Sequence, residues 1–186
     1  MKKRIVGAAT LSLLLALPMT SQAATLTSGK EYVPSKAYKY SVYEISRKKA
    51  VGLTCKGPVQ QRTCMVTNTK KNDGGYITSY KNKKYDMGIA YSDGLIIPTY
   101  TFPLKENVTV HAVEPDFIGT KKYTYKVLAL DTKKTVGKKT YKHVIKIKNE
   151  DGGYTFIAKN HGVILFTYKV KGKQKTIYKI SNYVKR

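Results

Sequence analysis

Lys122-Tyr123-Thr124-Tyr125-Lys126-Val127-Leu128-Ala129 and Tyr141-Lys142-His143-Val144-Ile145-Lys146-Ile147-Lys148 decide the fold of this chain. In the first stretch Tyr123, Tyr125, Val127 and Ala129 alternate with Lys122, Thr124, Lys126 and Leu128. In the second, Tyr141, His143, Ile145 and Ile147 alternate with Lys142, Val144, Lys146 and Lys148. A period of two places successive side chains on opposite faces of a strand, so each stretch reads as a β-strand with one apolar and one largely cationic face. Ile164, Phe166, Tyr168 and Val170 repeat the pattern, as do Val108, Val110 and Ala112. Sixteen tyrosines suit a pleated, half-buried surface.

Turn residues close these runs at Asn72-Asp73-Gly74-Gly75, Ser92-Asp93-Gly94, Asp131-Thr132-Lys133-Lys134, Glu150-Asp151-Gly152-Gly153, Asn160-His161-Gly162 and Gly172-Lys173. Short strands joined by such turns predict an all-β fold: an antiparallel meander curved into an open half-barrel or packed as a sandwich. Asp73-Gly74-Gly75-Tyr76 and Asp151-Gly152-Gly153-Tyr154 echo each other. Duplication of a half-sheet and independent use of a favoured turn explain the echo equally well.

Ahead of this pattern, Lys2-Lys3-Arg4, the apolar run Ile5 to Leu17 and the small residues of Ser21-Gln22-Ala23 read as a signal peptide over residues 1–23. The apolar run is shorter than the roughly twenty residues needed to span a bilayer, and the residue directly after the expected cleavage point is Ala24 rather than a lipid-anchoring cysteine. The expected product is secreted, extracellular or held at the cell wall. It has a flexible lead-in over 24–37 and a single β-rich domain over 38–186.

The full chain carries a formal charge of +24; without the three basic residues of the leader it is +21. Repulsion of that size is relieved by a polyanionic surrounding, although a lysine-rich surface also serves solubility alone. After the leader, arginine occurs only at Arg47, Arg62 and Arg186. Lysine attracts anions diffusely, whereas reading a base edge usually uses the guanidinium fork, so no sequence-specific nucleic acid is expected. The expected partner is an anionic cell-wall polymer or an anionic membrane surface, met by Lys122, Lys126, Lys142, Lys146 and Lys148. Interleaved tyrosines would serve as platforms or simply fill the inner face.

Cys55 and Cys64 flank Lys56-Gly57-Pro58-Val59-Gln60-Gln61-Arg62-Thr63 in a chain read as exported, which favours a local disulfide. On the loop-entropy model it contributes up to about 2.7 kcal/mol. Their spacing is not that of a thioredoxin motif, and no following His pair supports zinc.

Catalytic signals are sparse. His143 shares the expected inner face of its strand and reads as a packed histidine; His161 reads as a turn residue. His111, with Glu114 three residues on, falls opposite it by alternation unless the strand breaks near Pro115. Asp73, Asp93, Asp131, Glu150 and Asp151 lie in turns. Glu44, Asp86, Glu106, Glu114 and Asp116 form no readable catalytic pair. Neither Gly-x-Ser-x-Gly nor a phosphate-cradling glycine loop occurs. No catalytic residue, metal or cofactor is assigned, and oligomeric state is left open.

Tyr100-Thr101-Phe102-Pro103-Leu104-Lys105, Val136 through Ile147 and Asp151 through Ile164 resemble a recurrent β-rich module of secreted and surface proteins from Gram-positive and related bacteria. The similarity spans roughly the C-terminal half. It departs where Ile164-Leu165 replaces a second glycine, and where the Gly and Trp often found downstream of Phe-Pro-Leu are missing. The resemblance implies a half-barrel shaped like bacterial lipoprotein carriers, without catalytic residues. The function expected from the charge is non-enzymatic association with an anionic cell-wall polymer or membrane surface. Its rivals are a carrier or sensor of an apolar ligand, implied by the resemblance, and a secreted ribonuclease, favoured by charge.

Overall fold

The computed structural model describes residues 23–44, 50–66, 75–90, 95–116 and 119–186. The leader read over residues 1–23 lies outside them apart from Ala23. Alternation and turns produce strands almost throughout: β1 (Thr25–Leu26), β2 (Tyr38–Glu44), β3 (Val51–Lys56), β4 (Arg62–Val66), β5 (Gly75–Lys81), β6 (Lys84–Ala90), β7 (Leu95–Thr101), β8 (Leu104–Lys105), β9 (Thr109–Asp116), β10 (Gly119–Val136), β11 (Lys139–Asn149), β12 (Tyr154–Ala158), β13 (Gly162–Val170) and β14 (Lys173–Lys185). Strands β1 and β8 form a two-stranded sheet. The other twelve form one antiparallel sheet in the order β7-β6-β5-β4-β3-β2-β14-β13-β12-β11-β10-β9.

Two six-stranded meanders, β2–β7 and β9–β14, are thus joined where β2 pairs with β14, from Tyr38 opposite Lys185 to Glu44 opposite Tyr178. The outer edges β7 and β9 approach within 8 Å at Cα without pairing, so the sheet curls and stays open. The Gly-Gly-Tyr echo falls at equivalent places: Gly75 opens β5 and Gly153 precedes β12, each the fourth strand of its meander. Asp73 and Gly74 lie outside the described residues.

The curl is held from inside by tyrosines. Tyr100 on β7 donates to Thr155 Oγ1 at 2.7 Å, with Asn149 Oδ1 3.2 Å away. Its ring meets Tyr125 edge-on at 5.0 Å. Tyr125 Oη accepts the Thr101 N–H, and Tyr85 Oη donates to the Tyr32 carbonyl at 2.8 Å. A phenol inside a core needs such a partner for its hydroxyl, and these bonds span elements far apart in sequence. Residues 24–37, expected as a flexible lead-in, make packed contacts instead. Tyr32 and Val33 are buried, Ser35 N donates to Asn160 O, and Tyr40 Oη donates to the carbonyls of Ser35 and Asn160.

The second correction concerns His143. Thr132 pairs with Val144 and Lys134 with Tyr141, so Lys133 alone stands opposite Lys142 and His143. This is a β-bulge, and His143 takes φ +52° in it. Tyr141, Ile145 and Ile147 are buried as alternation requires, but the bulge turns His143 outward, its side chain 60% exposed.

Cys55 and Cys64 stand directly opposite each other on β3 and β4, Cα atoms 4.0 Å apart, and form the disulfide expected from the sequence. Gly57, at φ +89°, turns the chain between them, where a Cβ would meet the Gln61 carbonyl oxygen at 2.5 Å. Arg62 is buried and donates from Nη1 to the Gly57 carbonyl. That guanidinium is therefore committed to the loop.

Gly153 is more tightly confined, since a Cβ there would lie 2.1 Å from the Thr167 oxygen, whereas one on Gly172 would meet nothing within 4 Å. Gly153→Ala should therefore lower stability by about 3 kcal/mol through overpacking against the β13 backbone. Gly172→Ala, penalised only for its positive φ, should cost about 1 kcal/mol. Denaturant midpoints of the two variants check this; equal losses would contradict the assigned packing.

Candidate functional site: a lysine and aromatic row

Strand register converts scattered lysines into a surface. Ile147, Thr155, Phe166 and Tyr178 are cross-strand neighbours on β11 to β14 and all are buried. The adjacent register positions, on the opposite face, form a row: Lys146, Phe156, Leu165, Lys179 and Tyr43, running from β11 to β2. Beside it Lys126, Lys148 and Tyr154 are cross-strand partners on β10, β11 and β12. Cations sit over the rings: Lys134 Nζ lies 4.5 Å from the Phe156 centroid, Lys146 Nζ 5.2 Å from that of Tyr154, and Lys179 Nζ 5.3 Å from that of Tyr43. Lysine stems thereby cover apolar rings while their ammonium groups stay at the surface.

Of the five lysines singled out from sequence, Lys126, Lys146 and Lys148 belong to this patch. Lys122 shares its strand face with Lys126 four residues on, in a register without a break along β9. Lys142 is separated by the His143 bulge and lines a different groove. Lys134, Lys179, Tyr43 and Phe156 escaped sequence reasoning because cross-strand neighbours become visible only with the register. Lys126 stands directly opposite Lys148, a like-charge pair that destabilises a sheet unless anions screen it. The ion pairs found among the described residues, Lys159 with Glu31 and His143 with Asp131, involve none of the row's lysines.

The three histidines occupy separate elements. His111, on β9, is exposed with Nδ1 3.1 Å from Thr124 Oγ1, and β9 continues unbroken through Pro115, so positions 111 and 114 alternate in face. His161 does lie in a turn, but its ring packs among Tyr38, Tyr40, Tyr141 and Tyr183, with centroids 4.3 to 6.0 Å away. Its Nδ1 is buried without a hydrogen-bond partner among the described residues. Burial lowers its pKa to about 4. Among the described residues no group of three or more His, Cys, Asp or Glu is placed to hold a metal.

A cavity of about 410 Å³ has Tyr123, Tyr125 and Phe166 in its lining, with Lys122, Glu150 and Asp151 also contributing. Glu150 is anchored by the Thr124 N–H and Asp151 by the Gly153 N–H. Among the described residues no helix is long and apolar enough to cross a membrane. No protein-family model matches the chain, and no curated protein or solved structure is detectably similar to it.

His161 sets an acid limit on stability. Its folded pKa of about 4 lies below the ordinary value of 6.5, so between those values the unfolded chain holds more protons than the folded one. Its contribution is complete above pH about 6.5 and falls as pH drops toward 4. The expected loss is on the order of 1 kcal/mol after allowing for the partial exposure of the ring. Denaturant unfolding across this range should show a shallower pH slope for His161→Phe than for the parent; an unchanged slope would refute the assignment.

Proposed function

We propose that the protein associates electrostatically, without catalysis, with an anionic cell-wall polymer or anionic membrane surface through the face carrying Lys126, Lys146, Lys148 and Lys179. The observation that carries this reading is the uncompensated cationic row itself, in which lysines stand opposite lysine or over aromatic rings rather than opposite carboxylates. A polyanion running across the strands would meet ammonium groups from β10, β11 and β14 and exchange its counterions for them. The buried disulfide is compatible with an extracellular setting, and the leader-like residues 1–23 support export. Arg62 sits in the core and Arg186 ends the chain, so Lys rather than Arg carries the contact, which favours diffuse attraction over base reading.

Carriage of an apolar ligand, implied by the resemblance to surface modules, draws its support from the aromatic-lined cavity of about 410 Å³ at Tyr123, Tyr125 and Phe166.

Replacing Lys126, Lys146, Lys148 and Lys179 together by Gln should weaken binding to anionic liposomes or purified wall polymer by at least about tenfold at low salt, roughly 1.4 kcal/mol. Four replacements at the exposed lysines Lys83, Lys138 and Lys171 in turns and Lys173 at the start of β14 should do less. The parent's affinity should fall steeply with added salt, since exposed charges are screened within about 8 Å at physiological ionic strength. Co-sedimentation across a salt series decides it. Salt-indifferent binding, or equal loss in the two variants, would exclude the mechanism.

A further inference from the structure

The bulge that expels His143 also builds a second cationic site. Asp131, Thr132 and Lys133 from β10 and Lys142 and His143 from β11 line a groove of about 480 Å³. His143 Nδ1 lies 3.1 Å from Asp131 Oδ1, which orients the imidazole; with Nδ1–H donating to that carboxylate, Nε2 becomes a second donor in the imidazolium form. Its backbone carbonyl accepts the Lys159 N–H, fixing the bulge to the β12–β13 turn, while the Lys159 side chain is committed to Glu31. The groove thus brings together Lys133, Lys142 and the His143 imidazole, with Thr132 also in its lining and Asp131 its acidic group. His143 holds its left-handed backbone without burying its ring, so the packing of the imidazole does not account for the conformation.

We propose that this groove binds a phosphate ester, with Lys133 and Lys142 neutralising the anion and the Nε2–H of the His143 imidazolium donating to its oxygens. A tetrahedral phosphate accepts several hydrogen bonds at once and suits convergent donors of different reach. The volume leaves space for the group to which the phosphate is attached. This site is separate from the lysine and aromatic row, and it stands or falls without reference to binding there.

The test is an NMR titration of the full chain's imidazole resonances with inorganic phosphate at constant ionic strength. His111, also exposed and bonded to a threonine, is the internal control. His143 should shift saturably while His111 stays in place. In Lys133→Gln/Lys142→Gln the apparent Kd should rise at least about tenfold, and in His143→Gln, followed through the amides of residues 131–133, about three- to fivefold. Parallel, unsaturated shifts of His143 and His111, or unchanged affinity in a double variant whose thermal melt matches the parent's, would overturn the site. Displacement of phosphate by soluble poly(glycerol phosphate) would assign a polymer source, and displacement by phosphatidylglycerol vesicles a lipid headgroup. Displacement by neither would overturn the assignment to an ester.

Discussion

The curl of the sheet depends on a buried hydroxyl. Tyr100 reaches from edge strand β7 to Thr155 and Asn149, and Asn149 Nδ2 donates to Thr155 Oγ1 at 3.0 Å to complete a small polar cluster inside the tyrosine-rich interior. Such a cluster is costly when incomplete and specifying when complete. A flat sheet of twelve strands would leave Tyr100 without Asn149 and Thr155 and would expose one side of the tyrosine-rich core. Bending the first meander over the second satisfies both demands. The same bend separates a buried tyrosine face from a face where lysine stems lie over aromatic rings.

That division bears on how a domain with so large a positive charge stays folded. Placing Lys126 opposite Lys148 is unfavourable within the sheet. Stacking Lys134, Lys146 and Lys179 on Phe156, Tyr154 and Tyr43 recovers part of the cost, because the methylene stems bury apolar area and the ring faces attract the cation. An anionic surface would relieve the remainder.

Period-two alternation made the strand content and antiparallel class legible from residues alone, since Tyr123, Tyr125, Val127 and Ile145 are indeed buried. Proximity in sequence did the same for the cysteine pair. His143 was misplaced because alternation presumes an unbroken register, and a one-residue excess on β11 opposite Lys133 inverts the face of whatever occupies it. The sheet order was not legible either: nothing local announces that Tyr38–Glu44 pairs with Lys173–Lys185. Lys179 and Tyr43 therefore could not be recognised as neighbours, and that end of the cationic row stayed hidden. Residues 24–37 look polar and irregular in sequence, yet Tyr32 and Val33 within them find burial against elements brought close by the curl.

The pairing of β2 with β14 has a temporal consequence. The first long strand of the domain waits for the last, and Ser41 and Ser181, bonded across this seam, are 140 residues apart in the chain. Hairpins within each meander close over short loops and can form early, but the seam carries the full entropic burden of ring closure. A chain emerging from its N-terminus would therefore expose the unpaired edge of β2 until β14 emerged. Throughout that interval its lysines would hinder aggregation, since like-charged chains with open edges repel one another before they can pair.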